Sequence, residues 1–136
     1  MKLAQGMIGR VLIARLDEGE DLIDGIRKAC AEVGIRSGLV VGLGELSEYR
    51  VAADGSVAEG RQASVLSLVG VVSTLEGQLH VHAHVTLRLP DGSVVGGHAL
   101  NGNKVSPSVE VVVLEIQKAK LSRVVREGVE VLEPSE

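Results

Sequence analysis

All four histidines of the chain lie within one short stretch, GQLHVHAHVTLRLPDGSVVGGHAL, which spans residues 77–100. His80, His82 and His84 stand at every second position, and His98 follows after a turn signal. Neutral imidazole is a common metal ligand, and three of these rings around one ion suit zinc, as well as copper, nickel or iron. The alternative is that the histidines form only the polar face of a strand. The choice between the two depends on where the fold places the last histidine.

The first three histidines belong to a segment that alternates apolar and polar side chains from residue 79 to residue 88. Side chains two positions apart point to the same side of a strand, so this alternation is typical of a strand with one buried face. We therefore expect His80, His82 and His84 on one face, opposite a face of leucine, valine and alanine. All three rings then point the same way.

The segment LPDGS, residues 89–93, decides where His98 lies. Its Pro-Asp-Gly sequence suits a type I turn followed by a left-handed glycine, which predicts a three-residue hairpin loop with a bulge. This register opposes His84 to His98 and makes His82 its diagonal neighbour, whereas a two-residue loop would turn the last ring to the other face. Three imidazoles at such distances can reach one ion, so the spacing allows a metal site with a coordination position left open.

The composition predicts one soluble, cytoplasmic domain that covers residues 1–136. Hydrophobic residues make up 45% of the chain but Tyr49 is the only aromatic one, so the core must be aliphatic. The net charge of −4 offers no positive field for nucleic acid or for an anionic membrane. Cys30 is the single cysteine, which excludes an internal disulfide and a cysteine-rich zinc module. The first twenty residues contain only short apolar runs, so neither a signal peptide nor a membrane span is expected.

The hydrophobic pattern predicts one helix among many strands. In EDLIDGIRKACAEVG, residues 20–34, apolar residues recur at helical spacing, Cys30 falls on the buried face, and Gly34 suits the C-terminal cap. Strands are predicted before and after it, at residues 9–16, 37–46, 48–52, 63–73, 78–89, 93–100 and 108–116. Several of these runs are apolar almost throughout, which indicates cover on both faces by the helix, by a second layer or by another subunit.

Motifs for other chemistry are missing from the chain. Neither a dinucleotide fingerprint nor a P-loop is present, no nucleophile elbow occurs, and the lone thiol has no base near it in sequence. For a metal-dependent enzyme, only Glu45 and Glu48 are candidate carboxylates near the cluster, and we expect both to be ordinary surface charges. The basic residues of the C-terminal segment, Lys118, Lys120, Arg123 and Arg126, are expected to form a solvated face, with the final VEVL as an edge strand.

Five stretches together resemble the PPC domain, a domain of plants and prokaryotes: GRVLIARLDEGEDL, SGLVVGLGEL, SVLSLVGVVS, LHVHAHVTLRLPDGSVVGGHAL and VEVVVLEI. The resemblance is strongest over residues 8–117, and its most specific part is the pair LHVHA and GGH separated by a hairpin that carries DG. Resemblance to the stand-alone prokaryotic branch implies an α/β (α+β) fold, in which a mainly antiparallel sheet packs against one principal helix. It also implies assembly as a homotrimer.

The resemblance further implies a metal site, most naturally for zinc, at His80, His82 and His98. His84 stands where the family more often has a small or hydroxyl residue, which places it beside the site. Gly96 and Gly97 precede the last ligand, and small residues there are expected to leave room for an open coordination position and a bound small molecule.

Three functions are consistent with these features. The first is a trimeric metal-binding module that binds a small molecule, and the second is a DNA-associated regulatory protein, as in plants, where the domain is attached to an AT-hook. The third is an enzyme that uses a zinc-bound water as its nucleophile. This acidic chain has no AT-hook and almost no aromatic residues, so we expect DNA binding to be weak or indirect. No catalytic base is identifiable, so an enzyme is less expected than a metal-binding module.

Overall fold

Eight strands and one helix make up the computed structural model, which describes residues 1–136. In chain order the elements are β1 (Met7–Asp17), α1 (Leu22–Val33), β2 (Gly38–Ala53), β3 (Ser56–Leu75), β4 (Gln78–Arg88), β5 (Val94–Ala99), β6 (Lys104–Gln117), β7 (Lys120–Arg126) and β8 (Val129–Ser135). The predicted α+β class, with one principal helix and a mainly antiparallel sheet, is confirmed.

Several strand boundaries differ from the predicted ones; β3 begins at Ser56 and β6 at Lys104, each earlier than predicted. Residues 37–46 and 48–52 were predicted as separate strands, but they join into the single long strand β2 because its neighbours continue past the irregular residues between them. The basic segment after residue 117 forms β7, which pairs with β3 and with β8. The solvated face predicted for it is confirmed for Lys118, Lys120 and Arg126, which are exposed, whereas Arg123 is half-buried. The predicted edge strand at the C-terminus is confirmed, since β8 ends the sheet.

All strands belong to one sheet in the order β1-β6-β2-β5-β4-β3-β7-β8, and β2 also pairs with β3. The pairings β2 with β3, β3 with β4, β4 with β5 and β5 with β2 therefore form a closed circuit. Only the short contact between β3 and β7 is parallel. The histidine strand β4 and its partner β5 both belong to this circuit, so each of them pairs with a strand on both sides.

Helix α1 covers one face of the sheet. It begins after Asp21, whose carboxylate accepts a hydrogen bond from a first-turn N–H, and it ends at Gly34, whose φ of 77° is left-handed as predicted. The helix buries the side chains of Leu22, Ile26 and Cys30 completely. Burial raises the pKa of the Cys30 thiol to about 11, which confirms a core thiol. No helix in the structure combines the length and the apolar character needed to cross a bilayer.

The opposite face of the sheet leaves several aliphatic side chains exposed. Successive register partners across β1, β6, β2 and β3 form one line that we call the apolar row: Ile13, Val112, Val41 and Val69. The exposed fraction is 78% for Ile13, 41% for Val41 and 54% for Val69. The same line continues from Val69 to the opposing residue on β4, which is His84. An exposed aliphatic surface thus borders the histidines.

The close approach of β2 to β5 requires glycine at position 97. A Cβ atom added to Gly97 would overlap the carbonyl oxygen of Ala52, whereas one added to Gly96 would lie 3.1 Å from the carbonyl oxygen of Val85. We expect Gly97→Ala to lower the free energy of unfolding by about 1–3 kcal/mol, as overpacking typically does, and Gly96→Ala to cost less. Urea unfolding of both variants beside the unchanged protein checks this, and equal losses would contradict it.

Candidate metal centre

The hairpin between β4 and β5 has the register that the turn sequence predicts. The backbone N–H of Leu89 donates to Ser93 over 2.8 Å, the N–H of Gly92 donates to Leu89 over 2.9 Å, and Gly92 has a φ of 87°. Beyond this three-residue loop, His84 is the direct partner of His98. The predicted convergence of His98 with the histidine face is confirmed.

Three of the four imidazoles form a tight group. Ligand nitrogens of His82, His84 and His98 all lie within 4.8 Å of one another. The ring centroid of His82 is 4.7 Å from that of His98 and 5.2 Å from that of His84, while the rings of His84 and His98 meet edge to face at 6.1 Å. Strand alternation supplies the first two rings from β4, and the hairpin register supplies the third from β5. We call this group the histidine triad.

His80 lies on the same face of β4 but outside the histidine triad. Its Nε2 atom is 3.7 Å from a carboxylate oxygen of Glu130 on β8. Two of the three ligands predicted from the sequence, His82 and His98, are therefore together in the structure, and His84 stands in the third position of the group. The predicted ligand set with His80 remains a prediction.

The other residues singled out in the sequence occupy separate positions. Gly96 is exposed on the histidine side of β5, whereas Gly97 contacts the backbone of β2. The expectation that they leave room for a ligand stays a prediction. Glu45 accepts a hydrogen bond from the Ser64 hydroxyl over 2.8 Å, and Glu48 lies opposite Arg61 in the β2–β3 ladder. Neither carboxylate belongs to the histidine triad.

Burial and neighbouring positive charge favour the neutral form of His82 and His98. Burial is the main cause that lowers the pKa of His82 to about 4, followed by the charge of Arg123 and by the other imidazoles. The pKa of His98 is lowered as well, mainly by burial and by His84 and His80, while Glu130 acts in the opposite direction. Since only a neutral imidazole nitrogen can bind a metal, these shifts extend ligand competence to acidic pH.

The residues present fit a bound metal ion. Three imidazole nitrogens converge, and the Nδ1 atom of His98 is buried without any hydrogen-bond partner. Buried polar atoms are nearly always paired, so an unpaired imidazole nitrogen within such a group indicates a missing ligand. A three-histidine set leaves a fourth position open, as in catalytic rather than structural zinc sites.

Sequence reasoning missed the contribution of the C-terminal hairpin. Direct register partners share a face, and Leu75 on β3 pairs with Arg123 on β7 just as Ser73 pairs with His80 on β4. The β7–β8 register then carries the same face to Glu130. The β-branched pair Val124 and Val125 was the available signal for a strand, but only the pairing of β7 with β3 places Arg123 on the face of the histidines.

The model of the Plants and Prokaryotes Conserved (PCC) domain, also abbreviated PPC, matches residues 3–117. This chain belongs to that family. The resemblance seen in the sequence is thereby confirmed, and the PCC match includes all four histidines while it ends before β7. No curated protein matches the chain.

Solved structures share the fold of this PCC domain over nearly its whole length. A plant- and prokaryote-conserved (PPC) protein of Pyrococcus horikoshii is 28% identical, with a TM-score of 0.85, and the alignment covers 98% of this chain and 97% of the other. A protein of Archaeoglobus fulgidus described as metal-containing is 26% identical, with a TM-score of 0.82 and complete coverage of both chains. A protein of Bacteroides thetaiotaomicron that is provisionally named DNA-binding is 22% identical over 96% of this chain and 98% of the other, with a TM-score of 0.80. At that identity the last likeness shows the fold alone.

The lowered pKa of His82 predicts how stability changes with pH in the metal-free protein. An unfolded histidine takes up a proton near pH 6.5, whereas folded His82 takes one up only near pH 4. The unfolded state therefore binds more protons within this window, and the free energy of unfolding should decrease as the pH falls from about 6.5 to about 4. Urea unfolding in the presence of a chelator measures the slope, which should be shallower for His82→Gln. An identical slope in that variant would contradict the assignment.

Proposed function

We propose that this protein is a homotrimeric metal-binding module that holds zinc through His82, His84 and His98 and binds a small molecule at the remaining coordination position. The observation that carries the proposal is the convergence of three imidazoles, with ligand nitrogens within 4.8 Å of one another. The metal-containing protein of Archaeoglobus fulgidus, which has the same fold, is consistent with it. Zinc is the metal that a set of three imidazole nitrogens with one open position suits best.

The sequence and the geometry favour different third ligands. The family resemblance selected His80, whose Nε2 atom lies 3.7 Å from Glu130, whereas the geometry favours His84, the direct partner of His98. Direct partners in a ladder have their Cβ atoms roughly 5 Å apart, which suits two ligands of one ion. We therefore assign His84 as the third ligand and His80 as a neighbouring residue that lies close to Glu130. Because metal ligands usually have such oriented neighbours, His80 still belongs to the site.

Ligand substitutions test this assignment. We expect the purified, untagged protein to bind one zinc per chain, and His82→Ala, His84→Ala or His98→Ala to abolish stoichiometric binding because each removes one of three bonds. His80→Ala is the matched control on the same face of β4, and it should retain most of the zinc. Elemental analysis after dialysis against zinc and gel filtration measures the content of each variant.

The possible outcomes have distinct meanings. Loss of zinc in His80→Ala together with its retention in His84→Ala would restore the ligand set predicted from the sequence. Full retention of zinc in His82→Ala, or no zinc in the unchanged protein, would mean that the histidines form only the polar face of a strand. Occupancy should also fall with acidity, but the lowered pKa values of His82 and His98 place this loss below the usual histidine range.

The exposed apolar surface supports self-association. The apolar row and its neighbours Leu43 and Leu66 line a depression of about 610 Å³ on the sheet face that α1 does not cover. Contiguous apolar surface of this kind commonly marks a protein interface in a soluble chain. A second and a third copy would remove these side chains from water, and the family resemblance implies three-fold symmetry. The row ends at His84, so the interface would border the metal site.

Light scattering coupled to gel filtration tests the assembly. At micromolar concentration the protein should have three times the mass of its chain. Val41→Glu places a charge in the middle of the apolar row and should shift the mass to that of one chain. Val57→Glu is the control, because Val57 is similarly exposed, at 47%, but lies at the far end of the β2–β3 hairpin. A monomeric unchanged protein, or trimers in both variants, would contradict the proposal.

The two alternative functions have weaker support. A DNA-associated role is favoured only by the names of relatives whose identity of 22% shows the fold alone. The net charge of −4 opposes binding to phosphates, so DNA association would be weak and sensitive to salt. An enzyme would need a base near the metal, and Glu45 and Glu48 are not part of the histidine triad. Neither alternative is carried by an observation at the site.

A further inference from the structure

Four buried side-chain polar atoms in this structure have no hydrogen-bond partner, and all belong to residues of one face. They are Ser73 Oγ, His80 Nε2, His98 Nδ1 and Arg123 Nε. Ser73 is the direct partner of His80, and Arg123 is the direct partner of Leu75, two residues further along β3. Buried polar groups are normally satisfied, and each unpaired group carries a desolvation cost. Their concentration around the histidine triad indicates a place for a polar ligand.

Arg123 differs from Arg10 and Arg126 in that it has no carboxylate partner. Arg10 donates from two nitrogens to the carboxylate of Glu115, at 2.9 and 2.8 Å, and Arg126 lies 3.5 Å from Glu133. Arg123 forms no salt bridge, and its Nε atom is buried. A guanidinium is always charged and offers a planar fork of donors. A half-buried guanidinium without a carboxylate therefore lacks the anion that would normally pair with it.

The net positive charge expected at the site also favours a bound anion. Arg123 shares a face of the sheet with Ser73 and the histidines, so its positive charge lies on the side of the histidine triad. A divalent metal ion at the triad would add two further positive charges. Glu130, beside His80, is the only carboxylate that opposes this charge among the groups acting on the triad. A bound anion would offset the excess.

We propose that Arg123 and Ser73 form a carboxylate-binding subsite next to the histidine triad, so that the ligand of this protein is a small organic carboxylate. This inference rests on the proposed function, since the second end of the ligand would lie at the metal position. The guanidinium fork matches the two oxygens of a carboxylate, and the serine hydroxyl is a further donor. Glu130 favours a single negative charge over the double charge of phosphate, because it would repel the latter more strongly.

The subsite divides the recognition between two parts of the chain. The histidine triad lies within residues 3–117, which match the family model, whereas Arg123 lies in β7, beyond that match. The metal position is thus provided by the shared domain and the ligand specificity by the C-terminal hairpin. Chains of this fold with other residues at the Arg123 position would select other ligands.

Calorimetric titration with three probes tests the subsite: glycolate, acetate and inorganic phosphate. Each is titrated into the full-length protein, both metal-free and loaded with zinc. We expect glycolate to bind and Arg123→Gln to weaken this binding about tenfold or more, the usual effect of losing a charge-assisted hydrogen bond. Ser73→Ala should weaken it less, and Arg123→Lys should be intermediate because it keeps the charge but loses the fork. Arg126→Gln, which removes the same charge from the opposite face of β7, should bind as the unchanged protein does.

Zinc content, measured on every sample, separates this inference from the proposed function. If glycolate binding depends on Arg123 but the protein has no affinity for zinc, the carboxylate subsite is supported and the metal site is overturned. Normal zinc content with no carboxylate binding, or with equal binding in Arg123→Gln and the unchanged protein, would overturn the subsite alone. Binding of phosphate in place of both carboxylates would also overturn it. Circular dichroism checks that each variant is folded. If Arg123→Gln does not fold, Arg123→Lys replaces it in the comparison with the unchanged protein.

Discussion

The register of the hairpin between β4 and β5 is the constraint on which the rest of this site depends. Because side chains alternate along a strand, a shift of one residue would turn His98 away from the other histidines. The loop fixes the register locally: Leu89 pairs with Ser93, and the Asp91 carboxylate accepts hydrogen bonds from the Ser93 N–H and hydroxyl at 3.0 and 2.6 Å. A turn at the surface thereby sets the geometry of a cluster five residues away on each strand.

The surrounding sheet then holds this hairpin in place. His98 pairs with Ala52 on β2 as well as with His84 on β4, so it is fixed from both sides. The segment that follows is tied to β2 by Asn103, whose side chain accepts from the Arg50 N–H and donates to the Arg50 carbonyl, both at 2.8 Å. Asn103 is fully buried, and all of these bonds lie away from water. The last histidine therefore stands on a rigid strand, which suits a ligand position.

Burial, charge and neighbouring surfaces give the site its character. Partial burial lowers the pKa of His82 and His98, and Arg123 adds a positive charge that no carboxylate neutralises directly. The apolar row reaches the same cluster from the other side through Val69 and His84. The histidine triad, a charged hairpin and an uncovered aliphatic surface thus meet along one face of the sheet. Helix α1 takes part in none of them, because it covers the opposite face.

The sequence by itself determined the local features of this protein. Strand alternation put the first three histidines on one face, the Pro-Asp-Gly turn brought His98 to them, and Gly34 ended the helix, because each depends only on nearby residues. The family was also readable from its motifs. The tertiary structure alone decided that His84 rather than His80 completes the tight group, and that Arg123 and Glu130 face it. The positions of Arg123 and Glu130 depend on how β7 pairs with β3, a strand far from it in the chain, and no local pattern encodes that pairing.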